Sequence, residues 1–360
     1  MNRIAAEYVF ASDGAEPIRN GFVEYDGQGL VTSVGESPDI DAEPVFLKGA
    51  IVPGFVNAHC HLELSYLWKA FRKGTGMAGF IDQINAMRDN KSMEEKLRDI
   101  RFWMDTMWDR GVSAMADISN CADTFEVKKS SPMYTRTFLE VFGTEPEDCA
   151  AVMDSVRRLK EVADSFGLDA APTPHSCYTM SPSLVTAASA DGLKSGFISF
   201  HSEETEEEEE MLKYGRGAMW DNRKAAGMSV PPVTGKSSLL YFIDRLKAVH
   251  EPPFDEHILL VHEVCMDQEG IDAVKEVMEF SGHSNVEINN MMILGGSRIG
   301  IRIATELQDE VNIKLIDYNA EKAYRLAELL DKTLIINEDG RHIEAMLEEG
   351  LANMDAFIAV

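Results

Sequence analysis

The feature that most constrains the fold of this chain is a pair of histidines at the end of an apolar segment. Residues 55–58 read Phe-Val-Asn-Ala and lead directly into His59 and His61. Residues two apart on a β-strand point to the same side of the sheet, so both imidazoles converge on one point. Two surface histidines in a turn are the alternative, but a turn does not require an apolar lead-in. The pattern therefore predicts a strand that delivers two metal ligands.

Apolar strand candidates alternate with helical stretches through the middle of the chain. The strand candidates are residues 52–58, 112–118, 137–142, 168–172, 197–200 and 258–261, and the clearest helical stretches are 91–110 and 146–166. Alternating strands and helices predict an α/β chain with a parallel sheet covered on both faces, here closed into a TIM barrel. In such barrels the chemistry lies at the carboxyl ends of the strands.

Three further histidines follow strand candidates. His175, His201 and His262 each stand at or just beyond the end of one of these segments. Five of the nine histidines thus lie on one predicted rim, which unrelated surface residues would not produce. The remaining histidines are interpreted as ordinary surface residues: His250, His257, His283 and His342.

Residues 1–50 have a different pattern, with short strands and turns. The strand candidates are residues 4–10, 21–25 and 30–35, and the hairpin signals are Asp13-Gly14 and Asp26-Gly27. Short strands rich in β-branched and aromatic residues, separated by such turns, predict antiparallel structure ahead of the barrel.

Together these motifs resemble the amidohydrolase superfamily, and most closely its adenosine, S-adenosylhomocysteine and aminofutalosine deaminases. The motifs are Pro-Gly-Phe-Val-Asn-Ala-His-Cys-His-Leu-Glu-Leu-Ser at residues 53–65, His175 with its Tyr-x-x-Ser-Pro tail, His201-x-x-Glu204-Thr205, and Val-His262. The resemblance implies β-sandwich strands in residues 1–50 and a metal-dependent barrel in residues 51–284. It also implies that His59, His61 and His201 hold one divalent metal, zinc or iron. The bound hydroxide would attack the amino-bearing carbon of an adenine-containing nucleoside.

The same resemblance implies roles for four other residues. Glu204 would move a proton to the ring nitrogen of the base, and His262 would orient the water or stabilise the tetrahedral intermediate. His175 and Glu63 would face the substrate. The alternative for Glu204 is a solvated carboxylate, because it belongs to the acidic run at residues 203–210, which suits the start of an exposed helix.

One element of that family has no counterpart in the sequence. The family carries an aspartate after the eighth barrel strand, which is a metal ligand and proton acceptor and usually follows a small residue and threonine or serine. No such element follows His262, and the chain changes character after Met278 with six barrel strands predicted. The barrel is therefore expected to lack its last strands, and turnover is expected to be impaired.

Residues 290–360 have the pattern of a second domain. Its first predicted elements are a strand and glycine turn at residues 290–300, a helix at 301–308 and a strand at 311–317. Asp317 ends that strand 17 residues past Gly300. This is a βαβ unit with a dinucleotide-binding fingerprint, in which backbone N–H groups hold the pyrophosphate and the acid binds the ribose hydroxyls. Ser297 replaces the middle glycine, which weakens the match.

This stretch resembles the N-terminal half of a TrkA-type (RCK) domain, the cytoplasmic NAD-binding regulator of potassium uptake. The similarity rests on Ile-Leu-Gly-Gly-Ser-Arg-Ile-Gly, Leu-Ile-Asp-Tyr-Asn, Arg-Leu-Ala-Glu-Leu-Leu, Thr-Leu-Ile-Ile-Asn-Glu-Asp-Gly and Asp-Ala-Phe-Ile-Ala-Val, in this order. Residues 285–360 are interpreted as a partial Rossmann-like segment of this kind. The resemblance implies that Gly295, Gly300, Asp317 and Asp339 contact NAD, and that a membrane potassium transporter is a partner.

Two partial domains joined near residue 285 leave several interpretations open. The chain is a natural fusion, a recombined chimera or an artefact of gene assembly, and a natural regulated enzyme would normally keep both domains whole. The fourth strand of the second segment ends at Val360, on an unprotected edge. Strands of this segment could fill the vacant barrel positions, with Asp339 in place of the lost aspartate, but register and loop geometry would have to match by accident. A further alternative is that neither segment folds stably.

Two other stretches have simpler interpretations. Gly235-Lys-Ser-Ser is similar to a phosphate-binding loop, but the first glycine of that motif would fall at Val230, so no phosphate site is predicted. Residues 214–249 are interpreted as a long lid-like loop and helix over the barrel mouth.

The composition of the chain limits the binding partners and the cellular compartment that can be expected. A net charge of -27 argues against binding nucleic acid or acidic membranes. The five cysteines form no Cys-x-x-Cys pair, and no apolar run of about 18 residues is present, which predicts a cytoplasmic protein. We expect a homo-oligomer. The two function hypotheses are a deaminase of a small-molecule nucleoside and an NAD-binding regulatory subunit of Trk-type potassium uptake with a vestigial barrel.

Overall fold

The chain divides into two compact units, which are described separately. A computed structural model describes residues 2–11, 16–39, 42–250, 257–272, 274 and 288–359. The units are Met1–Ser281 and Gly282–Val360. The predicted junction near residue 285 and the edge position Val360 lie outside the described residues. Among the described helices, none has the length and apolar character that a membrane span requires.

The N-terminal strands form one sheet. They are β1 (Asn2–Val9), β2 (Ile18–Tyr25), β3 (Val31–Glu36) and β4 (Phe46–Ile51), in the order β3-β2-β1-β4. The pair β1–β4 is parallel and the other pairs are antiparallel. The turn predicted at Asp26-Gly27 is present, because Asp26 Oδ1 accepts hydrogen bonds from the N–H groups of Gln28 and Leu30 at 2.8 and 2.9 Å. The predicted hairpin at Asp13-Gly14 lies outside the described residues, and β4 was not predicted.

Six parallel strands follow in the order of the sequence. They are β5 (Phe55–Cys60), β6 (Val112–Ser119), β7 (Tyr134–Val141), β8 (Asp169–Pro174), β9 (Ile198–Ser202) and β10 (Ile258–His262). Strands β5 to β8 form one sheet, and β9 pairs with β10. The two sheets meet where the N–H of His201 donates to the carbonyl of His175 at 2.9 Å and that of Ser199 donates to Thr173 Oγ1 at 2.7 Å. All six strands correspond to predicted segments, although β5 begins only after Pro53-Gly54.

Helices separate these strands, and their ends follow from local sequence. They are α1 (Gly76–Met87), α2 (Met93–Asp109), α3 (Phe125–Ser130), α4 (Cys149–Phe166), α5 (Pro182–Leu193), α6 (Glu206–Tyr214), α7 (Ala218–Ala225) and α8 (Ser238–Leu246). Ser92 and Glu95 form a capping box at the start of α2. Gly167 ends α4 in the left-handed conformation, with φ 75°, which glycine adopts without strain.

The segment interpreted as a lid has a different structure. It contains the two helices α7 and α8, and α8 is largely buried rather than a cover over solvent. Phe242 of α8 stacks on Phe200 of β9 with ring centroids 3.5 Å apart, so this helix belongs to the main core. The Gly235-Lys-Ser-Ser stretch is a helix start, since Ser237 Oγ accepts a hydrogen bond from the N–H of Leu240.

The second unit is a four-stranded parallel sheet with helices between its strands. The strands are β11 (Asn290–Leu294), β12 (Asn312–Ile316), β13 (Leu334–Ile336) and β14 (Ala356–Ala359), and the helices are α9 (Arg298–Leu307), α10 (Ala320–Leu329) and α11 (Ile343–Glu348). The strand order is β13-β12-β11-β14, and all pairs are parallel. Met291, Ile293 and Leu315 pack in its core. The four strands pair with one another, so within the described residues Asp339 belongs to this unit and not to the strands β5–β10.

Candidate active site and nucleotide cavity

Three histidines from two strand ends converge in the first unit. His59 lies on β5, His61 follows that strand directly, and His201 lies on β9. One nitrogen from each ring lies within 4.8 Å of the other two, which is close enough for a single metal ion. The ring centroid of His59 lies 4.9 Å from that of His61 and 4.8 Å from that of His201. The structure thus brings together the three side chains that the sequence predicted as ligands.

The electrostatics of these rings suit neutral ligands. Burial, followed by the charges of the neighbouring histidines, lowers the pKa of His59 to about 4. Burial also lowers the pKa of His61 and of His201. Within the described part of the chain, His59 Nδ1 and both ring nitrogens of His201 are buried without a hydrogen-bond partner. Neutral imidazoles with free lone pairs are the form that binds a divalent metal, so the residues fit a metal ion.

His262 and Glu204 stand next to this cluster. The ring of His262 is 5.3 Å from that of His201, and its Nε2 lies 3.4 Å from Glu204 Oε2. Burial raises the pKa of Glu204, and its N–H donates to the carboxylate of Glu208 at 3.0 Å. His262 has φ 83° and Glu263 has φ 50°, a left-handed backbone that is unfavourable for these residues and is common at functional sites.

His175 stacks on His201, with ring centroids 4.9 Å apart. Its Nδ1 lies 2.8 Å from Ser176 Oγ and 2.7 Å from Thr179 Oγ1. Burial lowers its pKa to about 4. A second group of possible metal ligands contains Glu140, His175 and His201, and sequence analysis missed Glu140.

Glu63 is held by protein groups rather than left free. Its carboxylate accepts hydrogen bonds from the backbone N–H of Asn120 at 2.8 Å and from Asn120 Nδ2 at 3.0 Å. The N–H of Cys121 donates to it at 3.3 Å. Burial raises the pKa of Glu63. Contact of Glu63 with a substrate stays a prediction.

A buried ion pair supports the end of β5. Asp117 Oδ2 lies 2.5 Å from Lys128 Nζ, and both side chains are 0% exposed. Asp117 Oδ1 also accepts a hydrogen bond from the N–H of Leu62 at 2.7 Å. This bond fixes the backbone immediately after His61 and so helps to position the first two histidines.

A cavity of about 670 Å³ has Thr179, whose hydroxyl lies 2.7 Å from His175 Nδ1, among its lining residues. Tyr178 and Thr179 contribute to its wall, and the rest of its lining comes mainly from α1, α7 and the segment after β7. The side chain of Arg223 is buried there and donates to the carbonyl of Tyr178. Hydrogen bonds from Ser229 and Thr144 lower the pKa of Glu145, at the same cavity, to about 2. The volume is typical of small-molecule sites.

The second unit has its own cavity, of about 750 Å³. Gly295, Ser297, Asp317 and Asp339 line it, whereas Gly300 is not among its lining residues. The N–H of Gly300 instead donates to Ser297 Oγ at 3.2 Å within the first turn of α9. Contact of Gly295, Gly300, Asp317 and Asp339 with NAD stays a prediction.

The carboxylate of Asp317 makes three contacts within its own unit. Its Oδ2 accepts from the N–H of Gly296 at 2.9 Å and lies 2.6 Å from Lys322 Nζ, and its Oδ1 accepts from the N–H of Asn319 at 2.9 Å. A Cβ atom at Gly296 would lie 2.5 Å from Leu326 Cδ1, so a side chain here would force the leucine to move. Gly296 and Lys322 were missed by sequence analysis.

The second unit matches a known domain family. Residues 291–360 match the family model of the TrkA-N domain. The Trk system potassium uptake protein TrkA of Vibrio alginolyticus is 31% identical to the chain over 87 residues, which are 24% of this chain and 19% of that protein. The TrkA of Haemophilus influenzae is 33% identical over 70 residues, which are 19% of this chain and 15% of that protein. The chain thus spans about a fifth or less of the length of these relatives.

Solved structures of deaminases share the fold. Helicobacter pylori aminofutalosine deaminase, in complex with methylthio-coformycin, has a TM-score of 0.61 at 18% identity and covers 100% of this chain and 76% of its own. Escherichia coli guanine deaminase has a TM-score of 0.57 at 14% identity, with 93% and 80% covered. An adenosine deaminase from Xanthomonas campestris with bound zinc has a TM-score of 0.53 at 15% identity, with 87% and 68% covered. At these identities the likeness shows a shared α/β fold and nothing about activity.

Proposed function

We propose that the first unit is a metal-dependent hydrolase that removes the amino group from an adenine-containing nucleoside. The observation that carries this proposal is the convergence of His59, His61 and His201, whose neutral and partly unpartnered nitrogens fit one divalent ion, zinc or iron. In this proposal the strands β5–β10 are an amidohydrolase barrel without its last strands. The solved neighbours of similar fold are named as deaminases of adenosine, guanine and aminofutalosine, which supports this substrate class.

The protein residues supply the proton transfers. When bound, a zinc ion lowers the pKa of a water to about 7 and so provides the nucleophile. Glu204 exchanges a proton with the ring nitrogen of the base, and burial raises its pKa, which favours the protonated form of the carboxyl group. His262, at 3.4 Å from Glu204, orients the carboxyl group and the incoming water. The family's aspartate after the eighth strand has no counterpart in the sequence, so we expect slow turnover.

Substrate contacts follow from the positions of His175 and the cavity beside it. His175 is held by Ser176 and Thr179, and the cavity of about 670 Å³ begins at Tyr178 and Thr179. In this proposal the base lies at the histidine cluster and the remainder of the nucleoside extends into the cavity.

Metal content is the first test of the proposed site. Protein purified without added metal is expected to contain about one equivalent of zinc or iron, because three imidazoles and a water complete a four-coordinate site. The His59→Ala variant is expected to contain almost none, since it retains only two of the ligands. Elemental analysis of both proteins measures this, and His342→Ala, which changes a histidine of the second unit, is the matched control. Equal metal in His59→Ala and the parent protein, or none in either, would contradict the proposed centre.

A second function is favoured by the TrkA-N match and the cavity of the second unit. We propose that residues 290–360 bind NAD, with Gly295, Asp317 and Asp339 at the cavity and Gly300 in the turn that supports it. On this proposal the chain is a cytoplasmic, homo-oligomeric regulatory subunit whose partner is a membrane potassium transporter. The relatives that carry the same domain are named as Trk potassium uptake proteins, which supports the class of partner.

The Asp317→Asn variant is expected to bind NAD about 10-fold more weakly or worse, because hydrogen bonds to a charged group contribute about 1.5–3 kcal/mol. Isothermal titration of the whole chain with NAD, and separately with ATP, measures the change. Asp309→Asn is the matched control, since Asp309 is exposed and pairs with Lys332 at the surface. An unchanged Kd for Asp317→Asn would remove this residue from the binding site.

A further inference from the structure

Glu140 is a buried carboxylate beside the histidine cluster that the proposed mechanism does not use. It lies near the end of β7, and its side chain is 6% exposed. Glu140 Oε2 accepts a hydrogen bond from Asn120 Nδ2 at 3.0 Å. Within the described residues, Oε1 of the same carboxylate is buried and has no hydrogen-bond partner. A carboxylate oxygen in that position is unfavourable unless a donor approaches it.

The free oxygen of Glu140 lies between two imidazoles. Oε1 is 3.6 Å from His175 Nε2 and 3.8 Å from His201 Nδ1. The two rings are stacked with an interplanar angle of 29°, so both nitrogens face the same carboxylate. These distances are longer than hydrogen bonds. Sites without their ligand often show long contacts that shorten in the complex.

The partners of each ring indicate which nitrogen carries a proton. The hydroxyls of Ser176 and Thr179 can donate to His175 Nδ1, which leaves the ring proton on Nε2, toward Glu140. His201 Nδ1 faces Glu140 in the same way. With the proton of His201 on Nδ1, the lone pair on Nε2 is free for a metal ion.

Asn120 connects this carboxylate to Glu63. Its side-chain nitrogen has two protons, and Nδ2 lies 3.0 Å from both Glu63 Oε1 and Glu140 Oε2. The backbone N–H of Asn120 also donates to Glu63 Oε2 at 2.8 Å. The side-chain amide of Asn120 therefore holds two buried carboxylates. Glu63 helps to hold Glu140 in place because it fixes this amide.

We propose that Glu140 is a positioning residue that accepts the Nδ1–H of His201 and the Nε2–H of His175, and that Asn120 and Glu63 hold Glu140 in place. The inference rests on the proposed function only in taking His201 as a metal ligand. A metal-binding histidine commonly donates its other ring N–H to a carboxylate, which fixes the tautomer and the orientation of the ring. Loss of such a partner typically weakens metal binding about 10- to 100-fold.

Zinc affinity of the whole chain tests the proposal. Metal-free protein is titrated with zinc in competition with a chromophoric chelator, for the parent chain and for Glu140→Gln, Glu140→Asp and Asn120→Ala. We expect Glu140→Gln to bind zinc about 10- to 100-fold more weakly and Glu140→Asp to fall between it and the parent. Glu209→Gln is the matched control, because Glu209 is a buried carboxylate whose neighbours are Lys213 and the N–H of Ser238.

The tautomer of His201 is a second and independent readout. In the zinc-loaded parent protein, nitrogen-15 NMR of labelled histidine should show a protonated Nδ1 with a downfield proton, and this proton should move upfield in Glu140→Gln. A purely structural role of Glu140 would not change this signal in a protein that still folds and binds zinc.

The outcomes separate the two proposals. If Glu140→Gln binds zinc as tightly as the parent and keeps the His201 proton signal, the positioning role is wrong and the metal site stands. If Glu140→Gln does not fold, the zinc affinity of Asn120→Ala is the test instead. A zinc affinity of Asn120→Ala equal to that of the parent overturns the proposal. If the parent chain binds no zinc, the metal centre and the positioning role both fail.

Discussion

The Glu204→Gln variant is expected to release ammonia from an adenine nucleoside about 10²- to 10⁴-fold more slowly than the parent protein, because it loses general acid–base catalysis. Glutamine has nearly the same shape but cannot exchange a proton with the ring nitrogen. In the parent protein, Glu204 Oε2 lies 3.4 Å from His262 Nε2, and the glutamine side chain would occupy the same place. The metal content of the variant should therefore not change. Turnover and elemental analysis of the same preparation test both parts of the expectation.

The matched control is Glu206→Gln, which removes an exposed carboxylate from the first turn of α6. It should leave turnover and metal content as in the parent. Glu204→Gln turnover equal to that of the parent would show that Glu204 is a solvated carboxylate, which is the alternative that the acidic run suggests. A parent protein that binds metal but releases no ammonia from any adenine nucleoside would reject the proposed reaction itself.

Lys128→Met is expected to lower the free energy of unfolding of the first unit by about 3–5 kcal/mol, because it leaves Asp117 as an unpaired buried charge. The lysine lies 2.5 Å from Asp117 and also donates to Ser119 Oγ at 3.1 Å and to Thr137 Oγ1 at 3.0 Å. All of the tryptophans lie in the first unit. Urea unfolding followed by tryptophan fluorescence therefore reports on the unit that contains the substitution.

Two comparisons make this measurement specific. Lys129→Met changes the exposed neighbouring lysine and should alter stability by less than about 0.5 kcal/mol. The double variant Lys128→Met with Asp117→Leu should recover much of the loss, because no charge is left without a partner. A loss below about 1 kcal/mol in Lys128→Met would indicate that the N–H of Leu62 and Ser119 Oγ already compensate Asp117.

Much of the candidate site could be predicted because strand ends are recognisable in sequence. An apolar run followed by histidine marks both a strand and the rim where it stops, and parallel strands bring such rims together. His201 comes from a strand far along the chain from the one that carries His59 and His61, yet this rule placed all three on one rim, and the family resemblance then singled them out as ligands. The same logic predicted Asp317 at the end of β12, beside the glycine turn.

Other parts could not be predicted because nothing in the local pattern distinguishes them. Glu140 and Asn120 are single polar residues whose importance comes from contacts with distant segments. β4 has a glycine within it and lies just before Pro53-Gly54, so its pattern resembles a connection. The prediction of a lid is wrong for helix α8, because the sequence does not show that Phe242 stacks on Phe200.

Ser297 stands where the dinucleotide fingerprint has a glycine. Its side chain caps the N-terminus of α9. Its hydroxyl already accepts the hydrogen bond from the N–H of Gly300, a donor that a phosphate group would otherwise find free. The N–H of Gly300 is therefore occupied within the first turn of α9, and this turn is held by a contact of the chain itself. If this unit binds a nucleotide, as proposed, a phosphate at the start of α9 would use the other backbone N–H groups or displace the hydroxyl, and the exchange of one hydrogen bond for another contributes little net free energy.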